Sequence, residues 1–208
     1  MSSVRAANIL NSFGYTNQAI STGQLQVQTQ STNTTLLAAL QEVERAENGT
    51  FFMAANGNAT FRDRNFRLTN TTTPDATFGQ GGSDLPYSDI VSEYDDTKIV
   101  NTVLFTRTGG SEQTAVSDDS VQRFGTHTLK RTGLLNIQDS DVSSIAQQKV
   151  VENDIPQTAV RSLTFRPQVD TSLWAKALGL DIGAFVKTNV LTPSGTTESY
   201  DLFIENIT

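Results

Sequence analysis

Residues 35–64 constrain the fold more than any other part of the chain. They read TLLAALQEVERAENGTFFMAANGNATFRDR. Leu36, Leu37, Leu40, Val43 and Ala46 recur at helical spacing and give one apolar face. Asn33 or Thr34 stands where an N-cap belongs. Asn48-Gly49 marks the stop, with the glycine expected to take the left-handed cap conformation. Residues 50–54 then read as a strand and Asn56-Gly57 as a tight hairpin turn. Residues 59–64 return, with Ala59, Phe61 and Asp63 alternating against Thr60, Arg62 and Arg64.

The flanking sequence adds elements of both kinds. Val4, Ala7, Leu10 and Phe13 predict a short helix over 3–13, ended by Gly14. Residues 15–35 are rich in Gln, Ser and Thr and read as a loop or extended arm, with one short strand around Leu25 and Val27. Residues 65–84, with a polar run and Gly79-Gln80-Gly81-Gly82, read as a linker and the expected subdomain boundary. Strands are expected over 86–94, 98–108, 113–116, 126–132 and 159–165. In the second of these Ile99, Val103 and Phe105 share one face and Val100 and Leu104 the other, so cover is expected on both sides. Asp118-Asp119-Ser120 heads a single helical turn closed by Gly125. Asp139 or Ser140 is expected to cap a helix over 139–153 on the face of Val142, Ile145, Ala146 and Val150. Asp170-Thr171-Ser172 heads a short helix over 171–178, and 182–191 with 199–207 form a closing hairpin. The fold class is therefore α+β, mixed and β-rich. Its expected segments are an N-terminal helix and arm (1–32), a helix–hairpin α/β subdomain (33–80) and a β domain with helices (85–208).

Composition narrows function mainly by exclusion. A chain of 208 residues buries enough surface to need no covalent or metal staple. It has no cysteine, which removes disulfides, thiolate zinc sites and Cys nucleophiles. A net charge of −7 argues against a specific nucleic-acid or anionic-membrane binder. About one residue in seven is Thr, which favours strands and turns. The start lacks the apolar run of a secretory signal, and no segment reads as a membrane span.

No catalytic, cofactor-binding or metal-binding set stands out, so the chain is not expected to be an enzyme. His127 is the single histidine and sits between threonines; a packed or surface imidazole is the simpler reading. The pairs Asp95-Asp96, Asp118-Asp119 and Asp139 with Asp141 stand at turns or helix starts, where capping and the helix dipole account for them. The glycine run at 79–82 lacks the Lys-Ser/Thr of a phosphate loop. Phe51, Phe52, Phe61 and Trp174 fit core positions better than a sugar platform. The segment Tyr200, Leu202, Phe203, Ile204, Ile207 is apolar enough to form a sticky sheet edge, and a strand from another chain is expected beside it.

The ordered series of elements resembles the minor tail and tail-hub proteins of long-tailed phages. Four blocks carry the resemblance. The first is the helix 36–47, Asn48-Gly49-Thr50-Phe51-Phe52 and the return Ala59-Thr60-Phe61-Arg62-Asp63-Arg64. The second is Leu85-Pro86-Tyr87-Ser88-Asp89 with Tyr94-Asp95-Asp96 and Ile99 to Val103. The third is Phe124-Gly125 and Lys130-Arg131-Thr132-Gly133-Leu134 with the helix near Ala146. The fourth is Ser162-Leu163-Thr164-Phe165, Leu173-Trp174, 178–183 and Val186.

The resemblance implies that the helix–hairpin subdomain is followed by a partial β-barrel with short helices. It also implies a tail-tip or baseplate-hub component, made in the host cytoplasm and resident in the virion. Partners would be other hub proteins and copies of the same chain, as a trimeric ring around the genome-ejection channel. Relatives of this kind carry a barrel before the first helix and further strands after the last hairpin, so a hub divided over several chains or a reduced form is expected. Asp89, Glu93, Asp95 and Asp96 are candidates for a channel wall that repels passing DNA. The alternative function is a host-receptor or carbohydrate-binding adhesin, which would show an exposed aromatic cluster.

Overall fold

The structure, a computed structural model, describes residues 1–29, 35–192 and 194–208. Helix α1 (Ser2–Ser12), strand β1 (Gln18–Ile20), helix α2 (Leu36–Glu47) and strands β2 (Thr50–Met53) and β3 (Ala59–Arg62) come first. Then follow α3 (Phe66–Thr69), β4 (Ala76–Phe78), β5 (Tyr87–Asp95), β6 (Thr102–Arg107), β7 (Glu112–Val116), α4 (Asp118–Phe124), β8 (Thr128–Leu134) and α5 (Asp139–Asn153). Strand β9 (Gln157–Phe165), helix α6 (Trp174–Gly179) and strands β10 (Phe185–Leu191) and β11 (Thr197–Phe203) complete the order. The α+β class read from the sequence is the observed one.

The chain divides into two interleaved units. One comprises Met1–Phe66 and Asp95–Gln157, the other Arg67–Tyr94 and Thr158–Thr208. These units cut across the linear segments 1–32, 33–80 and 85–208. One crossing, between Phe66 and Arg67, falls inside the stretch read as a linker. The rest of that stretch is not a plain connection, because α3 and β4 form within it.

In the first unit α2 packs on α1 and on a sheet ordered β1-β3-β2. Ala6, Ile9 and Leu10 of α1 meet Leu40 and Val43 of α2 and Phe61 of β3, all buried. A second sheet, ordered β7-β6-β8, runs β8 parallel to β6 and β7 antiparallel to it. Helix α5 covers one face through Val142, Ile145, Ala146 and Val150 against Val103 and Phe105. The other face of β6 is half-covered, with Leu104 half-buried, so cover on both sides is only partly realised. In the second unit β10 lies between antiparallel β11 and parallel β4, and β5 pairs with β9. Among the described residues these pairings leave open sheets.

Local chemistry differs from the expectation at three places. Helix α2 is capped by Thr35, whose hydroxyl accepts from the Ala38 N–H at 3.3 Å; Asn33 and Thr34 lie outside the described residues. At its other end Asn48, not Gly49, takes the left-handed conformation (φ 57°). Gly49 is needed for a different reason: a Cβ there would stand 2.3 Å from the Arg62 carbonyl oxygen. The hairpin is closed by the Ala54 N–H to Asn58 oxygen bond (2.9 Å), so its connection holds three residues rather than two. Only Gly57 in it needs positive φ (82°).

A buried carboxylate ties the first unit together. Glu47, the last residue of α2, is 0% exposed. It accepts the Ser2 hydroxyl (2.5 Å), the Gln24 N–H (2.9 Å) and the Leu25 N–H (3.1 Å). One side chain thus joins α1, the arm and α2. The arm continues by pairing with 135–137 through the Gln28 N–H to Leu135 oxygen and Ile137 N–H to Gln26 oxygen bonds. Asn136, also fully buried, donates from its amide to the Ala46 oxygen at 2.9 Å. Removing the carboxylate strands two backbone donors in a dry site, each worth about 1–3 kcal/mol. Glu47→Ala is expected to lower unfolding free energy by about 2–4 kcal/mol in urea denaturation, with Glu47→Gln losing less. A change below about 0.5 kcal/mol for Glu47→Ala would show that the clamp is unimportant.

Candidate functional site

Strand β11 is one of several sheet edges with unfilled bonding capacity, and it carries the residues expected at an interface. Strand β11 lies at the end of its sheet, with β10 on one side and no strand on the other among the described residues. Its register with β10 runs from Phe185 opposite Phe203 to Leu191 opposite Thr197. The Ile204 N–H bonds the Ala184 oxygen at 3.0 Å, and the Thr192 N–H bonds the Thr196 oxygen at 2.8 Å. Both pairs involve even positions of the β11 segment. Because antiparallel ladder bonds alternate, 198, 200 and 202 point their backbone groups at β10. Thr197, Ser199, Asp201 and Phe203 therefore point theirs outward.

The apolar side chains are arranged differently from the backbone. Leu202 and Ile204 are half-buried and pack on the core formed by Ala76, Phe78 and Val186. Phe203 is half-buried, its ring 5.4 Å from that of Phe185, with the Arg67 guanidinium 5.6 Å above it. Tyr200 is half-buried and donates to the Glu198 carboxylate at 2.6 Å, which holds its hydroxyl above the usual tyrosine range. Ile207 alone of the five is well exposed, at 55%. The free edge is thus one of peptide groups, flanked by exposed Thr197, Ser199 and Asp201.

The four acidic candidates fall in different units. Asp89 and Glu93 lie on β5 in the second unit, on one face of the strand by their spacing. Asp89 is exposed, and Glu93 is half-buried and paired with Arg161 at 3.2 Å. Asp95 ends β5, and its side chain lies outside what the structure describes. Asp96 is exposed and borders an open cleft of about 420 Å³ in the first unit with Thr97, Ile99, Phe124 and His127.

His127 serves that cleft's wall. Its Nε2 stands 3.1 Å from the Phe124 carbonyl, which can only accept, so that nitrogen carries the proton. Its backbone N–H donates to Asn101 Oδ1 at 2.8 Å. Asn101 is fully buried and donates to the Ser120 hydroxyl (3.1 Å) and the Gly125 oxygen (2.6 Å), which fixes α4 to the start of β6. The imidazole is thus anchored to the end of α4. Among the described residues no group of three or more His, Asp or Glu side chains is placed to hold a metal ion.

The helix-start aspartates sit in first turns but do not cap. Helix α4 begins after Ser117, which turns its hydroxyl to Asp154 at 2.9 Å, and α5 begins after Gln138. Asp139 reaches away from its helix to Arg107 Nε (2.5 Å) and the Ser111 hydroxyl (2.9 Å), closing the β6–β7 hairpin onto α5. Asp170 does cap, accepting from the Ser172 N–H at 2.8 Å. Trp174 departs from its expected core position: it is 42% exposed, and Leu178, one turn on, is 77% exposed. Phe61 is fully buried and Phe51 packs beside it, so these aromatics form no shared platform.

A second cleft, of about 310 Å³, was missed by sequence reading. It is lined by Gln41, Glu44, Arg45, Asn48, Gly49, Arg131 and Lys149. These residues come from α2 and the two positions after it, from β8 and from α5, elements distant in sequence. No linear motif carries that signal.

No family model matches the sequence, and no curated protein does. The fold has a counterpart among solved structures. A crystal structure of the tail protein from Neisseria meningitidis MC58 superposes with a TM-score of 0.52 at 11% identity. The match covers 97% of this chain and 59% of that one. The chain shares the fold of a tail protein. It spans about three-fifths of that protein's length. Among the described residues no helix is long and apolar enough to cross a membrane.

The Asp139 clamp makes stability pH-dependent. The Ser111 hydroxyl bond, then the Arg107 guanidinium, hold its carboxyl below the ordinary 3.8. Such a group stabilises the fold above the unfolded value and ceases to do so as pH falls through the folded one. The acid limb of the unfolding curve is therefore expected to be shallower in Asp139→Asn. An identical acid limb in variant and parent, followed by circular dichroism, would contradict this.

Proposed function

We propose that this chain is a structural, non-enzymatic component of a phage tail tip or baseplate hub. In this reading it forms part of a ring, trimeric in the simplest case, around the genome-ejection channel. The observation that carries it is the fold shared with a protein described as a tail protein over nearly the whole of this chain. The order of sequence blocks that resembles tail-hub proteins supports the same reading. So does the open edge of β11, which a strand of another chain can extend.

The mechanism is mechanical. A strand from a copy of this chain or from a neighbouring hub protein adds beside Thr197, Ser199, Asp201 and Phe203, bonding their outward peptide groups. Leu202 and Ile204 anchor β11 to its own core, so the edge is rigid before the partner arrives. The half-buried Tyr200 and exposed Ile207 supply the flanking contacts. Asp89, Glu93, Asp95 and Asp96 supply negative potential to a channel wall, which keeps DNA from adhering as it passes. The chain needs no cofactor in this role and resides in the virion after synthesis in the host cytoplasm.

Two variants test this. Ser199→Pro removes an outward donor and leaves the backbone ladder to β10 in place, losing on that side only the exposed Ser199 hydroxyl bond to Asn189 Oδ1 (2.7 Å). It is expected to fold with a melting temperature near the parent's and to be lost from particles. Normal incorporation of a folded Ser199→Pro chain would remove edge addition from the mechanism. Reversing the four acids to Lys is expected to slow genome ejection from particles that assemble normally, by about ten-fold or more. Unchanged ejection kinetics would place those acids on an outer, solvated face.

A further inference from the structure

The 310 Å³ cleft of the first unit concentrates positive charge in a chain whose net charge is −7. Arg45 comes from the last turn of α2, Arg131 from β8 and Lys149 from α5. Glu44 is the one acidic residue among those that line it. Arg45 has an ordinary reason to be where it is, since a cation near a helix C-terminus complements the dipole. Arg131 and Lys149 have no such reason. Arg131 is half-buried, and its guanidinium lies 5.4 Å from the Phe105 ring centroid, which fixes its plane. Among the described residues neither Arg45 nor Arg131 has a carboxylate oxygen within ion-pairing distance. Lys149 pairs with Glu152 at 3.0 Å, outside the lining.

Holding two guanidinium groups together, one of them half-buried, is costly. Burial, and then the charge of Arg45, lower the proton affinity of Arg131. Burial also raises the pKa of the Glu44 carboxyl, against the opposing pull of the Phe51 backbone hydrogen bond and of the Arg45 and Arg131 charges. An arrangement that sets three cations against one lining carboxylate has capacity left for a ligand of the opposite sign.

We propose that this cleft binds a tetrahedral oxyanion, a phosphate or sulfate group, held by Arg45, Arg131 and Lys149. The three cations arrive from three separate elements, so they surround a tetrahedral dianion better than a planar carboxylate, which one guanidinium fork satisfies. The cleft is larger than one such group needs. The Gln41 and Asn48 amides that share its wall suit the hydroxyls of a phosphorylated or sulfated sugar. The shared chemistry is the oxyanion, and its source is either the free ion or a sugar ester. This inference stands independently of the tail role.

The test is amide chemical-shift titration of the whole chain with sodium phosphate, glucose 6-phosphate and sodium acetate at constant ionic strength. Saturable shifts confined to 41–49, 129–132 and 146–150 are expected with both phosphates, and none with acetate. Tighter binding of the sugar phosphate assigns the ester as the source, and equal binding assigns the free ion; either supports the site. Arg131→Gln and Lys149→Gln, each checked for an unchanged melting temperature, are expected to weaken phosphate binding about ten-fold. If one of them fails to fold, the other carries the comparison. Non-saturating shifts, equal binding of acetate, or undiminished binding in a folded variant would overturn the proposal.

Discussion

The first unit depends on one buried anion. Glu47 closes α2, receives the hydroxyl of Ser2 at the head of α1 and takes two peptide donors from the arm. A dry carboxylate without partners is among the costliest groups a protein can hold. With three donors it becomes a fastening that specifies one arrangement of three segments. Leu25, brought in by that arm, enters the core beneath Phe105 and α5, so the clamp links the helix–hairpin layer to the second sheet. Asn136 repeats the device, its buried amide reaching the α2 carbonyl of Ala46. Buried polar side chains join the two layers of this unit alongside the apolar contact of Leu25.

The elements that sequence reading recovers are those whose evidence is local. Leu36, Leu40, Val43 and Ala46 announce α2, Val142 to Val150 announce α5, and Gly57 and Gly125 mark chain reversals that need positive φ. What it misses is set by distant partners. Strands β1 and β4 have three residues each and exist because they lie parallel to β3 and β10, at separations no short pattern records. Asn48 and Gly49 were legible as a stop but not in their roles. The left-handed residue is the asparagine, and the glycine answers to a carbonyl on another strand. Asp139 reads as a cap and serves as a bridge to Arg107 and Ser111. Glu47 was invisible as a core residue, because an acid at the end of a helix ordinarily faces water.

Apolar spacing in the last ten residues pointed to β11 as an edge, and the structure puts it at the end of its sheet. The spacing did not reveal that Leu202 and Ile204 turn inward while the peptide groups of the odd positions face out. An edge built this way separates folding from association. The strand's side chains pack on its own unit, and on the outer side of its backbone no strand pairs among the described residues. In the proposed role, that division suits a part that folds alone and is then mounted in a larger body.

Whether the β11 edge is completed by another chain is the point on which the functional account turns. High-resolution imaging of intact particles containing this chain measures it directly. The account predicts density for a strand of a second polypeptide within about 5 Å of Thr197, Ser199 and Asp201, continuing the sheet, with the chain in a ring on the tail axis. An outer edge of β11 facing open solvent in the assembled particle would contradict it.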